Sequence, residues 1–162
     1  MEVVRPGAAP PAPSDVEELY ALATGGGAAD TAALFATLYD LALDRSDVVA
    51  VTAREMGELV GFGYGHRWLW AEQDDDWSSD LSRELAEDAN RLDQAFAVQL
   101  LAVQPTFTHH GLGFELLKQL MVASAAQVHW LQLEDSDSPA RRLFSRMGYR
   151  PLGHGTQVLV HG

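Results

Sequence analysis

Residues 96–121 read FAVQLLAVQPTFTHHGLGFELLKQLM, and this order of residue types restricts the fold more than any other stretch of the chain. Phe96 to Val103 is a short apolar run with β-branched members, which suits a buried strand, and Pro105 ends it because proline cannot donate to a ladder. Leu112, Leu116, Leu117, Leu120 and Met121 then recur at helical spacing, so a helix with one apolar face is predicted from about Gly111. A helix start has unpaired N–H groups and a positive dipole end, and Gly111 and Gly113 let a ligand's oxygens reach that backbone. Such a junction suits an anion. The same residues also make an ordinary tight strand-to-helix turn, so the decision rests with the rest of the chain.

At 162 residues the chain has the length of one domain. Its 47% hydrophobic and 21% charged residues are ordinary for a folded soluble protein. No apolar run approaches the roughly 20 residues of a membrane-spanning helix. Cysteine is absent, which excludes disulfides, thiolate metal sites and a cysteine nucleophile. A net charge of −12 argues against nucleic acid, which needs a basic footprint. It suits cationic small molecules or basic partners, and equally plain solubility. Met1-Glu2-Val3-Val4-Arg5-Pro6 is acidic and proline-interrupted, unlike a secretory leader, so a cytoplasmic protein off the membrane is expected. A homodimer is left open.

Along the chain, Val3-Val4-Arg5 reads as a first strand, followed by a proline-rich connection from Gly7 to Pro13. Ser14 and Glu17 have capping-box spacing for a helix carrying Val16, Leu19, Tyr20, Leu22 and Ala23, closed by Gly25-Gly26-Gly27. A second helix is predicted after Asp30 as N-cap, with Leu34, Phe35, Leu38, Tyr39, Leu41 and Ala42 on its apolar face. Val48 to Arg54 and Leu59 to Trp70 are strand-like and joined by Glu55-Met56-Gly57-Glu58, which predicts an antiparallel hairpin. In the second arm Phe62, Tyr64, His66, Trp68 and Trp70 share one face, and Gly61, Gly63 and Gly65 share the other. The aromatic face suits core packing or a substrate floor. His66 suits a satisfied buried imidazole or a catalytic base, and nothing near it has metal-ligand spacing.

From Ala71 to Gln94, nine acidic residues stand against Arg83 and Arg91. Leu81, Leu85 and Leu92 predict a short helix there, capped near Asp80, and the segment reads as an insertion at the sheet edge. It is either a solvated face or, with Trp77 among the carboxylates, a surface for an amine or ammonium group. Val128 to Leu133 is a further strand. Ser138 as N-cap and Pro139 at the first helical position open a helix with Ala140, Leu143, Phe144 and Met147 as its stripe, ended by Gly148. Tyr149–Leu152 and Gln157–Val160 form a last pair turning at Gly153-His154-Gly155. The sequence has no internal repeat.

Two separated blocks of this pattern resemble the GCN5-related N-acetyltransferase (GNAT) superfamily. Leu101-Ala102-Val103-Gln104-Pro105 is similar to that family's fourth-strand signature, and Thr108-His109-His110-Gly111-Leu112-Gly113 takes the place of its Gln/Arg-x-x-Gly-x-Gly/Ala pyrophosphate loop. Pro139 to Tyr149 resembles its helix-four segment ending in Gly-Phe/Tyr. The resemblance implies an α+β fold with a central, mostly antiparallel, twisted sheet of six to seven strands and about four helices. It implies a single acyltransferase domain over 1–162, with 71–94 as an acidic insertion between strands three and four.

It further implies acetyl-CoA as co-substrate. Leu101 and Val103, with Ala102 between them, would present main-chain groups to the pantetheine arm. Thr108, His109, His110, Gly111, Leu112, Gly113 and Phe114 would cradle the pyrophosphate, with Asp137 and Phe144 beside the cofactor. No metal is implied. The chain departs from the family at Thr108 (usually Gln or Arg), His109 (Gly), Asp137 (Asn), Phe144 (the tyrosine that protonates the leaving thiolate) and Gln99 (a glutamate base).

Amide formation needs a neutral amine, so a base must take a proton before attack. His66, Glu134, His109, Asp135 and Asp137 are the substitutes in reach, His66 and Glu134 foremost. The expected function is acetyl transfer from acetyl-CoA to an amine of a small molecule or peptide, by direct attack in a ternary complex that works largely by positioning. The alternative is a catalytically altered member that binds CoA or a partner without transfer, or reuses the fold for another reaction on an acyl thioester.

Overall fold

The computed structural model describes residues 2–4, 9–26, 29–133, 139–153 and 157–162. Among them are seven strands and five α-helices: β1 (Glu2–Val4), α1 (Pro13–Ala23), α2 (Ala29–Ala42), β2 (Val49–Glu55), β3 (Glu58–Arg67), α3 (Asp76–Leu85), β4 (Phe96–Val103), α4 (Leu112–Ser124), β5 (His129–Gln132), α5 (Pro139–Arg146), β6 (Arg150–Pro151) and β7 (Val158–His161). They fall into two compact units, Met1–His66 with Gln99–Ser124 and Arg67–Val98 with Ala125–Gly162. In the first, β1–β2 and β2–β3 pair antiparallel and β4 follows β3. In the second, β4 pairs parallel with β5, and β5–β7 and β7–β6 are antiparallel. This is the mixed α+β, mostly antiparallel arrangement that the resemblance implied, with one helix more, contributed by the acidic segment.

The core of the first unit stands on the aromatic face of β3. Phe62 and Tyr64 stack with ring centroids 5.7 Å apart, and Tyr39 of α2 meets each of them edge-on at 5.1 Å. Val16, Leu19, Leu100 and Ala102 close the cluster. Tyr39 is fully buried, its hydroxyl donates to the Pro11 carbonyl at 2.9 Å, and burial pushes the phenol up to about 12. The opposite face of β3 is bare because α4 lies on it. A Cβ on Gly61 would sit 2.7 Å from Leu116 Cδ1 and 3.2 Å from Leu112 Cδ2, so glycine here serves close approach.

Helix α2 buries a different stripe from the expected one. Ala32, Ala36, Tyr39 and Ala42 are buried, and Leu34, Leu38 and Leu41 are exposed. The helix is apolar nearly all round, so periodicity could not choose the buried side, and the small alanines allow the closer approach. It also starts at Ala29, with Asp30 in its first turn instead of at the cap. Helix α1 begins at Pro13 with Ala12 as N-cap and no side-chain cap, so the Ser14–Glu17 capping box does not form. Proline's fixed φ at the first position supplies the start instead. Gly25 and Gly26, at φ 76° and 75°, end it, and Gly27 lies outside the described residues. The hairpin turn is Met56-Gly57, both at positive φ, as a two-residue turn between twisted strands requires.

Strand β3 stops at Arg67, short of the expected Trp70, and Trp68 and Trp70 join the core of the second unit. Trp68 meets Trp70, Trp77 and Trp130 edge-on at 5.4, 6.1 and 5.1 Å. Leu81, Leu85, Ala89 and Leu92 pack into the same cluster, so the acidic segment supplies core residues and is no appendage. Its helix α3 is capped by Asp75, which accepts from the Ser78 amide at 2.8 Å and the Ser78 hydroxyl at 2.7 Å. Asp80, the expected cap, pairs with Arg83 at 2.9 Å. Helix α5 ends through Gly148 at φ 91°, where the Tyr149 amide reaches the Phe144 carbonyl at 3.0 Å. Ser138 and residues 154–156 of the last turn lie outside the described residues. Among the described residues no helix is long and apolar enough to cross a membrane.

Candidate functional site

The junction from β4 to α4 lies within the first unit. Along β4, Leu100 and Ala102 turn into the aromatic core, while Gln99, Leu101 and Val103 are half-buried on the other side. Gln104 leaves the strand tethered at both ends. Its amide donates to the Val60 carbonyl at 2.9 Å and its side-chain amide to Glu58 Oε1 at 2.7 Å. Pro105–Phe107 forms one 3-10 turn, and Thr108 closes it, with its amide and hydroxyl 3.3 and 2.7 Å from the Pro105 carbonyl. Thr108 therefore has its hydroxyl engaged by the turn.

His109 takes φ 68° and Gly111 φ 77°. Histidine is among the residues that enter the left-handed region more readily than most, so the backbone reversal forms here without glycine. At Gly111 a Cβ would meet nothing within 4 Å, so the demand for glycine there comes from φ alone. The first bond of α4 runs from the Glu115 amide to the Gly111 carbonyl at 3.0 Å. Among the described residues the amides of His109, His110, Gly111, Leu112, Gly113 and Phe114 have no acceptor. They lie at the positive end of a 13-residue helix that is held from beneath by buried Leu112, Leu116, Leu117 and Leu120. Chemically such an arrangement suits an anion with several oxygens, since its donors are backbone groups that no side chain has to orient.

His66 lies in the same unit, half-buried near the end of β3, beside the Gly65–Val49 pair of the β2–β3 ladder. Asp47, just before β2, receives both arms of the Arg45 guanidinium at 2.8 and 2.9 Å. Those hydrogen bonds are the main reason its carboxyl lies below the ordinary range, and the His66 charge acts in the same direction. Reading His66 by its sequence neighbours missed Asp47, because only the β2–β3 pairing relates them. Phe144 is buried in the second unit with its ring 5.5 Å from that of Tyr149. Glu134, Asp135 and Asp137 lie outside the described residues.

Residues 15–149 match the model of the acetyltransferase (GNAT) family. Among solved structures, PH1933 from Pyrococcus horikoshii OT3 superposes with a TM-score of 0.70 at 15% identity, over 98% of this chain and 94% of that one. A GNAT family acetyltransferase from Brucella melitensis in complex with acetyl-CoA gives 0.63 at 13% identity, over 99% and 96%. An aminoglycoside 6′-acetyltransferase type Ii gives 0.64 at 16% identity, over 99% and 96%. At these identities the likeness is one of fold. No curated protein matches the chain.

Proposed function

Since the chain belongs to the acetyltransferase (GNAT) family, we propose that it is an acyl-CoA-dependent N-acetyltransferase, acting over 1–162 as a single domain on an amine of a small molecule or peptide. The observation that carries this reading is the run of six acceptorless amides from His109 to Phe114, which fits a pyrophosphate in number and sign. Leu101 and Val103, with Ala102 between them, would hold the pantetheine arm by their main-chain groups, Thr108 would pin the turn that aims the cradle, and Asp137 and Phe144 would lie beside the cofactor. Acetyl-CoA supplies an acyl thioester with a tolerable leaving group. The protein's part is then to hold the reactants and to take a proton from the acceptor ammonium. His66 is the group we assign to that proton, with the Asp47 carboxylate, itself paired with Arg45, as a charge acting on it, and with Glu134 as the alternative base. The net charge of −12 favours a cationic acceptor.

Incubation with acetyl-CoA and a panel of small amines and peptides, followed by free thiol release and product mass, tests the reading. The expected result is amine-dependent thiol release, lost in His66→Ala and keeping its pH profile shifted in Asp47→Asn. Half-buried Gln99 and buried Phe144, which lack the family's base and acid, favour a second reading in which CoA binds without transfer. Calorimetry showing acetyl-CoA binding with no turnover on any amine would select that reading. Neither binding nor turnover would overturn both.

A further inference from the structure

Helix α2 turns its small side chains inward and its large ones outward. Ala32, Ala36 and Ala42 are buried with Tyr39, while Leu34, Leu38 and Leu41 are 55%, 44% and 64% exposed. Spacings of four and three put these leucines on one face of the helix, over about two turns. Half-buried Phe35, three residues before Leu38, meets Tyr20 of α1 with ring centroids 4.8 Å apart, so the apolar surface continues to the neighbouring helix. A single exposed leucine is ordinary, but a contiguous apolar stripe marks a contact surface.

The charges around the stripe identify what covers it. Asp30, four residues before Leu34, and Asp44, three after Leu41, are exposed at its two ends, roughly 20 Å apart at 1.5 Å per residue. Neither forms an ion pair among the described residues, and the next cation, Arg45, is held by Asp47 at 2.8 Å. Between Asp30 and Asp40 the helix carries no charged side chain, and α1 and α2 together have five carboxylates and no Lys or Arg. A second copy of the chain is a poor fit to this pattern. Antiparallel pairing of α2 with α2 sets Asp30 of each copy against Asp44 of the other, and parallel pairing sets like against like, so carboxylate meets carboxylate at both ends either way. An anionic lipid surface is repelled for the same reason.

We propose that this face of α2 docks an amphipathic basic helix of another protein, with an apolar stripe over about two turns and Lys or Arg at each end to meet Asp30 and Asp44. The leucines supply the buried area, and the carboxylates set the register and reject acidic helices. The surface shares no residue with the amides at the start of α4, so docking there requires no acyl-CoA.

The probe is an N-acetylated helical peptide of about fourteen residues, leucine at helical spacing along its centre and arginine at both ends, which offers no amine to acetylate. It is titrated into the full chain without acetyl-CoA, with the backbone amides followed by NMR. A saturable shift confined to α1 and α2, with a midpoint below about 1 mM, is expected. The same peptide with glutamate for arginine should bind about tenfold more weakly or worse. Leu34→Ser with Leu38→Ser, at exposed positions, should weaken the arginine peptide by about tenfold while the urea midpoint is kept. Asp30→Lys with Asp44→Lys should reverse the preference between the two peptides. The proposal is overturned by shifts outside α1 and α2, by equal affinity for the two peptides, or by an unchanged midpoint in the leucine variant. A dimer in sedimentation that the leucine variant dissolves would give the face to a second copy, and retention on phosphatidylglycerol vesicles would give it to lipid; either result overturns it too.

Discussion

Tyr39 in the first unit and Tyr149 in the second are both buried, and burial raises both phenols, yet their hydroxyls stand in opposite situations. Tyr39 donates to the Pro11 carbonyl at 2.9 Å, whereas the Tyr149 hydroxyl has no partner among the described residues, and neither do the indole N–H groups of Trp68 and Trp130. The first unit has unpaired donors too, the amides of His109 to Phe114, and of these residues His109, His110, Gly111 and Phe114 are exposed. Water satisfies an exposed amide until an anion replaces it, so being unpaired there costs little. A donor without a partner away from water costs about 1–3 kcal/mol. The same deficit thus costs little in one unit, where the proposed function gives it a use, and is an internal cost in the other.

The largest effect expected from breaking this contrast is at Leu112, which is buried and seats the first turn of α4 against Gly61. Leu112→Ala should lower stability in urea unfolding by about 2–5 kcal/mol, since it removes buried volume where the neighbouring glycine cannot fill in. Acetyl-CoA affinity should fall with it. A loss well under about 1 kcal/mol would mean that the cradle does not depend on support from beneath.

Gly113→Pro acts on the donors themselves. Proline is tolerated in the first turn of a helix because its missing N–H has no intrahelical acceptor to lose. The fold should survive while one cradle amide disappears. Calorimetry should then show acetyl-CoA binding weaker by about 1.5–3 kcal/mol, the range for hydrogen bonds to charged groups. Unchanged affinity would show that the cradle does not hold the anion.

The parts of this molecule that were legible in the sequence are those governed by local rules. Strand β4 runs from Phe96 to Val103 and α4 starts one residue after Gly111, because proline, glycine and leucine spacing act at short range. Phe62 and Tyr64 were legible as one face of β3 by its period of two, whereas Trp68 and Trp70 lie beyond the strand's end and pack in the second unit. What was illegible depended on competition between alternatives of similar local quality. Helix α2 offered both leucines and alanines to the core and packing chose the alanines; Asp75 and Asp80 both suited a cap and only Asp75 reaches an unpaired amide. At the β4–α4 junction, the turn and the helix start could be read from Pro105 and Gly111. The Arg45–Asp47 pair near His66 and the exposed leucine face of α2 needed strand pairing and tertiary packing.

The tyrosine contrast itself can be measured with a matched pair. Tyr39→Phe deletes a made hydrogen bond and leaves the Pro11 carbonyl without its donor, so it should cost about 1 kcal/mol. Tyr149→Phe deletes a hydroxyl that has no partner and should be neutral or slightly stabilising. Equal costs would end the contrast. Alkali provides a second test of the same groups. A phenol raised to about 12 in the fold, against about 10 unfolded, contributes stability that is fully present below pH 10 and is lost as pH rises through 12. Equilibrium unfolding should therefore weaken across that window, and less steeply in Tyr39→Phe.

The smallest effect expected on acetyl-CoA binding is at His109, and it separates the backbone of the proposed cradle from its side chains. A non-glycine residue at φ 68° carries about 1–2 kcal/mol of strain. Glycine removes that strain but loses about 0.5–1 kcal/mol in added unfolded-state freedom. His109→Gly should then stabilise the protein by a few tenths of a kcal/mol up to about 1 kcal/mol in urea unfolding. If the anion is held by amides alone, acetyl-CoA affinity should stay within about twofold, because the reversal that aims those amides is kept. A drop of about tenfold with the stability gain intact would assign part of the binding to the imidazole, and the exposed donors of the first unit would then no longer be purely backbone.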